Sequence, residues 1–272
     1  MTNVLPVETL AKRAEVLRAL HSGPKMLVLP NAWDAASARV FEAAGFPAIA
    51  TTSVGVANAL GYEDHEDAPV SEMLAAAARI AGAVSVPVTV DFEAGYQLAP
   101  RAIAERLIAA GAAGLNFEDS NHHGDASLVD AELQAERIAA VKAASRAAGV
   151  DLFLNARVDV FIHRRGSLEE QADEGLRRAA LYREAGADCV YPIVLSDETI
   201  IAAFVQAVGP INVNLRHGGP LSLQRAAALG VRRVTYAASM FREAMASLER
   251  LATEVQAQAT SLPESRNVQA GG

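Results

Sequence analysis

One unit recurs along the chain and restricts what it can fold into. An alanine-rich helical run ends in glycine, and a short apolar run of strand character begins within a few residues. The glycines are Gly45, Gly82, Gly111, Gly149, Gly186, Gly209 and Gly230. Glycine suits the position just past a helix because the chain there often turns through positive φ, which a Cβ disfavours. A further strand, Met26 to Leu29, precedes the first of these helices. That makes eight strands, each followed by a helix, at the roughly 20–40-residue spacing that βα units require. The strands read as nearly continuous apolar runs, as in a parallel sheet covered on both faces. Eight such units predict an α/β fold, a (β/α)8 barrel of the TIM type. A doubly wound sheet is the alternative, and it lacks the Gly-x-Gly-x-x-Gly turn that many such sheets place after a strand.

The 272-residue length is within reach of a one-domain barrel. We expect a single catalytic domain over residues 1–257, with a helix from Val7 to Leu20 plugging the floor. The polar stretch 258–272, with Pro263 and two terminal glycines, reads as a disordered tail. The net charge of −8 argues against nucleic acid as a partner. No run approaches the roughly 20 apolar residues of a membrane span, and no secretory leader is evident. A single cysteine, Cys189, excludes an internal disulfide and points to a cytoplasmic protein.

In such a barrel, chemistry gathers at the C-terminal ends of the strands, and residues i and i+2 share a face. The second strand ends in Thr51-Thr52-Ser53, the third in Asp91-Phe92-Glu93 and the fourth in Asn116-Phe117-Glu118-Asp119. The fifth ends in Asn155-Ala156-Arg157, and the seventh carries Asn212 and Asn214. Asp91, Glu93 and Glu118 crowded at one mouth would repel one another without a cation. All-oxygen ligands favour a hard ion, so Mg²⁺, with Mn²⁺ the alternative, is the expected cofactor. His122 and His123 lie in the loop after the fourth strand. Adjacent residues face opposite ways, so one of them at most can serve the site, and His123 is the candidate. Cys189 reads as a small buried hydrophobe.

These residues also carry a resemblance. Leu29 through Asp34, Thr51-Thr52-Ser53, Leu60 through Asp64, Val90 through Tyr96, Phe117-Glu118-Asp119 and Asn155 through Asp159, in this order, resemble the phosphoenolpyruvate mutase/isocitrate lyase superfamily. The resemblance implies that Asp91 is a metal-site aspartate, with Glu93 in place of a second one and Glu118 supporting the metal through water. It implies that Thr52, with the backbone amides of Ser53 and Val54, grips the substrate's carboxylate or phosphonate. Asp64 would lie over the site, Arg157 would neutralise the substrate's oxyanions, and Asn212 would bind a carboxylate. The implied activity is a Mg²⁺-dependent C–C lyase or decarboxylase acting on a small 2-oxo or 2-hydroxy acid through an enolate. A C–P bond enzyme and a catalytically silent oxo-acid-binding relative are the alternatives. The lyases of the superfamily carry a Lys-Lys-Cys-Gly-His loop after the fourth strand, where this chain reads Asp119-Ser120-Asn121-His122-His123-Gly124-Asp125. The resemblance further implies a homodimer or homotetramer formed by exchange of the C-terminal helix, here Met240 to Gln256, which carries an apolar stripe.

Overall fold

The computed structural model describes residues 5–261. Helix α1 (Val7–Ser22) comes first, followed by β1 (Leu27–Val28), β2 (Asn31–Ala32), α2 (Ala35–Ala43), β3 (Ile49–Thr51), α3 (Ser53–Leu60) and α4 (Val70–Ala83). Then come β4 (Val88–Asp91), α5 (Pro100–Ala109), β5 (Gly114–Glu118), α6 (Ala131–Ala147), β6 (Phe153–Val158), α7 (Val160–His163) and α8 (Leu168–Glu184). The chain ends in β7 (Cys189–Pro192), α9 (Glu198–Val208), β8 (Asn212–Asn214), α10 (Leu223–Ala228), β9 (Arg233–Thr235) and α11 (Ser239–Thr260).

Every strand pairing is parallel, in the orders β2-β3-β4-β5-β6-β7 and β1-β9-β8. The two sheets adjoin at both edges. Val190 of β7 bridges Ile211 at the start of β8. At the other edge β1 and β2 are halves of one strand, divided at Pro30, which has no N–H to give to a ladder. The first half pairs with β9 and the second with β3. The expected strand at Met26–Leu29 is thus the first half of a longer one. The architecture is the (β/α)8 barrel of the α/β class.

Strand alternation sorts the residues. Leu115, Phe117, Leu154, Ala156, Val190, Val213 and Val234 are wholly buried. They occupy the strand faces turned to the helices, whereas the intervening polar residues face the barrel axis. Helix α1 closes the floor as expected. Leu17 packs against Gly114, where a Cβ would stand 2.5 Å from the Phe153 carbonyl, and the His21 ring stacks on Phe153 at 3.9 Å. Next to it a charged cluster is fully matched. Buried Lys142 donates to Asp151 at 2.5 Å, Asp188 at 2.8 Å and the Leu152 carbonyl at 2.8 Å, and Arg18 reaches Asp188 at 3.2 Å.

Helix α11 is anchored by Phe241, edge-on to Trp33 at 5.4 Å. Beyond that anchor Leu248, Leu251 and Val255 stand exposed. The helix runs to Thr260, so residues 258–260, expected in the tail, are its last turn. Residues 262–272 of that expected tail lie outside the described residues. Among the described residues no helix is long and apolar enough to cross a membrane.

Candidate active site

Side chains from the ends of β3 to β6 meet at the C-terminal mouth of the barrel. Asp91, at the end of β4, is half-buried. Its backbone N–H donates to Thr51 Oγ1 at 2.8 Å. Its Oδ2 accepts from the Ser53 N–H at 3.1 Å, and Oδ1 accepts from Asn116 Nδ2 at 3.4 Å. Glu93, two residues on, is 3% exposed and adopts φ 45°. It accepts from the Tyr96 hydroxyl and from the Glu66 N–H, the latter at 2.8 Å. Glu118, 1% exposed, lies 2.6 Å from His122 Nε2 through Oε1. Its Oε2 faces Arg157 Nη1 at 2.5 Å as an ion pair, off the axis of a true hydrogen bond.

Arg157 is locked from behind. Asp159, on the same face of the chain two residues later, accepts from its Nε and Nη2, each at 2.7 Å. Asp159 also accepts from the Ser120 hydroxyl at 2.5 Å and gives its N–H to Asp119 at 2.8 Å. Asp119 in turn takes Arg178 at 3.0 Å and the Tyr182 hydroxyl at 2.7 Å. Below the mouth, Asn116 Oδ1 accepts from Asn155 Nδ2 at 2.9 Å and from Arg233 Nη2 at 3.2 Å. Arg233 is wholly buried, and among the described residues no carboxylate pairs with it.

The electrostatics follow from crowding in a buried site. Burial pushes Asp91 up, only partly offset by Arg157 and the Ser53 N–H. Burial carries Glu93 to about 7, with the Tyr96 hydrogen bond opposing and Asp64 and Asp91 adding. Glu118 is raised well above the carboxylate range by burial, against the pull of Arg157. Asp119 rises to about 6 through burial and Asp159. Burial opposes charge on Arg157 too, but Asp159 and Glu118 hold it protonated.

A divalent cation fits this arrangement. Among the described residues Asp64 Oδ1 is buried without a hydrogen-bond partner, and Glu118 Oε2 has only the ion pair. Donor atoms of Glu93, Glu118 and His122 lie within 4.8 Å of one another. Among the expected substrate contacts, Thr52 caps α3 by accepting from the Gly55 N–H at 3.5 Å, and the Ser53 N–H is engaged with Asp91. The Val54 N–H, in the first turn of α3, has no acceptor within its helix.

Two expected residues stand elsewhere. Asn212 is wholly buried inside the barrel and pairs with Thr235, its Nδ2 3.2 Å from Oγ1. Asn214, two residues nearer the mouth, accepts from the Val194 N–H at 2.8 Å. His123 reaches Glu66 at 2.8 Å and stays 42% exposed, whereas His122 is the imidazole beside Glu118, lowered by burial. Cys189 is wholly buried and pushed up to about 12 by that burial.

Glu66 was not singled out from the sequence. It adopts φ 61°, as His65 (71°), Tyr96 (54°) and Gln97 (54°) also take positive φ. Glu66 ties its loop to the next by accepting from the Tyr96 N–H. Such backbone strain in non-glycine residues gathers where the surroundings fix a site. Gly95, φ 93°, completes the turn, and a Cβ there would stand 2.7 Å from Ile103 Cδ1. The loop after β5 lies over the carboxylates, with His122 on Glu118 and His123 on Glu66.

A match to the phosphoenolpyruvate phosphomutase family spans residues 17–256. The chain is 35% identical over 235 residues to the uncharacterized protein Rv1998c of Mycobacterium tuberculosis, covering 84% of this chain and 86% of that one. A solved Burkholderia cenocepacia J2315 protein superposes with a TM-score of 0.83 at 39% identity, covering 89% of this chain and 99% of the other. Oxaloacetate acetylhydrolase bound to its product oxalate superposes with a TM-score of 0.80 at 26% identity, over 91% and 87% of the two chains. With a barrel of this topology and a mouth of this composition, the chain belongs to the phosphoenolpyruvate phosphomutase family, whose members include carbon–carbon lyases and mutases.

Proposed function

We propose that the protein is a divalent-cation-dependent lyase or decarboxylase that breaks a C–C bond next to a 2-oxo or 2-hydroxy acid through an enolate. The observation that carries this reading is the crowding of Asp91, Glu93 and Glu118 at one mouth, Asp91 raising Glu93 and both raising Glu118, where the only guanidinium facing them among the described residues, Arg157, is already shared with Asp159. The ion, Mg²⁺ on the resemblance with Mn²⁺ the alternative, would be held by Asp91, Glu93 and Glu118 with Asp64 above. When bound, it supplies Lewis-acid stabilisation of negative charge on the substrate, worth several kcal/mol.

The chain's own groups do the rest. The first turn of α3 presents the Val54 N–H to the substrate carboxylate, in the field of the helix N-terminus. Asp159, held by Ser120 and Asp119, keeps Arg157 at one orientation, so its charge is in place before charge develops on the substrate. The loop carrying His122 and His123 excludes water when it lies over the mouth. A decarboxylase needs little more, whereas a lyase also needs a proton donor to the enolate carbon. His122, buried beside Glu118, is better placed than His123 to touch the reacting groups.

The test is a screen of cation-dependent turnover across oxaloacetate, methylisocitrate, phosphonopyruvate and substituted malates. Consumption of oxaloacetate or a substituted malate that EDTA abolishes is the expected outcome. Turnover of phosphonopyruvate alone would make the protein a C–P bond enzyme, and metal-dependent binding without turnover of any acid would make it a silent relative. We further propose a cytoplasmic homodimer or homotetramer, supported by the apolar stripe that α11 leaves uncovered.

A further inference from the structure

Three donor atoms approach one point from three places in the chain: Glu93 beyond β4, Glu118 at the end of β5 and His122 in the loop that follows. All lie within 4.8 Å of one another. An ion with bonds of about 2.1 Å sets adjacent ligand atoms about 3 Å apart and opposite ones just over 4 Å apart, so these donors can share one cation after small shifts. Two are aimed by other groups. Glu93 is held by the Tyr96 hydroxyl and the Glu66 N–H, and Glu118 by Arg157. Outer partners that orient ligands in this way are a general mark of metal centres. His122 comes from a loop yet keeps only 10% of its side chain exposed, with its Nε2 turned inward onto Glu118. The neighbouring His65 ring lies 5.2 Å away and covers it. His123, next in the chain, turns outward to Glu66.

We infer that His122 is a direct ligand of the cation, joining the carboxylates of the mouth with Glu93 and Glu118 as its nearest neighbours, and that the centre is a mixed oxygen–nitrogen site suited to Mn²⁺ or another first-row transition ion more than to Mg²⁺. This rests on the reading of the mouth as a cation site. Mg²⁺ is bound by oxygen and gives up its waters reluctantly, so an imidazole adds little to its affinity. The same imidazole strengthens binding of the transition series. A histidine that only tied the loop down through Glu118 would leave the order of cation affinities unchanged, and that separates the two roles.

The experiment titrates the intact protein with Mn²⁺, follows bound ion by electron paramagnetic resonance, and records pulsed spectra of the Mn²⁺-loaded form for coupling to ¹⁴N. Mg²⁺ competition gives the relative affinities. Wild type should show the nitrogen coupling of a bound imidazole and a clear preference for Mn²⁺. His122→Gln should lose the coupling and at least about ten-fold of that preference, the lower end of what even an outer partner of a ligand contributes. His123→Gln should keep both, and circular dichroism should show His122→Gln folded as wild type. Bound Mn²⁺ without nitrogen coupling, or an unchanged Mn²⁺/Mg²⁺ ratio in His122→Gln, would overturn the assignment of His122 while leaving the carboxylate site standing. Failure of Mn²⁺ and Mg²⁺ to bind at all would remove the cation site itself and this inference with it.

Discussion

The two ends of the barrel handle buried charge in opposite ways. At the floor, Lys142, Arg18 and Arg146 answer Asp151 and Asp188, with contacts of 2.5–3.4 Å and no carboxylate left over. At the mouth, Asp64, Asp91, Glu93 and Glu118 face Arg157, which already serves Asp159. The floor is a finished structure whose charges hold the chain together. The mouth gathers more carboxylates than cationic groups among the described residues, and that surplus of acceptors suits a cation.

The contrast can be broken most directly at Asp91. Asp91→Ala should abolish cation binding and lower turnover by about 10²–10³-fold or more, while leaving the cation-free fold at least as stable as wild type. Calorimetry showing wild-type cation affinity in this variant would move the site elsewhere. The matching change at the floor is Lys142→Met. It strands Asp151 and Asp188, and removing one partner of a buried pair typically costs about 3–5 kcal/mol. Arg18 stays on Asp188 and Asp151 is 37% exposed, so a loss near about 3 kcal/mol is expected in urea denaturation. A neutral result would mean that the floor is no better matched than the mouth.

The pH dependence sharpens the comparison. Glu93 is raised from 4.5 to about 7 in the fold, so the folded state holds the extra proton between those values. Cation-free stability is therefore greatest, in this respect, below pH 4.5 and is lost as pH rises through 7. His21 at the floor, pushed down to about 3 by burial and by Arg233, acts in the opposite sense. Its contribution is full above pH 6.5 and is lost as pH falls. Comparing wild type with Glu93→Gln in EDTA cancels the histidine. The variant should gain on wild type by about 2–3 kcal/mol between pH 4.5 and 7 and hold that lead above. A difference that does not change with pH would show that Glu93 is not crowded. The smallest expected effect is at Cys189, whose buried thiol should resist alkylation in the native protein. Oxaloacetate consumption should survive the reagent, and methylisocitrate should remain unused before and after it. Fast methylisocitrate cleavage destroyed by alkylation would bring the thiol into the chemistry.

Much of this was legible in the sequence, because most βα units end their helix with a glycine at positive φ, Gly82 inside the last turn of α4 being the exception, and the strands that build the mouth place polar residues two apart. The Asp91/Glu93 spacing was informative for that reason. Asn212 was not, since alternation tells which face a residue takes but not how deep in the barrel it lies. Depth is set by strand stagger, and it leaves Asn212 in the interior with Thr235. The order of His122 and His123 was hidden because a loop has no period from which to read direction. Glu66 was hidden because it reaches Glu93 through a left-handed bend 27 residues away in sequence.

Arg233 gives the barrel axis a polarity. A sealed guanidinium below Asn116 and, once ionised, a ring of carboxylates above it set up a potential that is positive inside and negative at the rim. An acid approaching such a mouth without a cation would meet the negative rim first and be turned away. Were a cation to neutralise the rim, the same acid would be drawn in by both charges. On the proposed function the order of binding would be compulsory, cation before acid on entry and acid before cation on exit, and free cation concentration would be the variable that opens or closes the mouth to an acid.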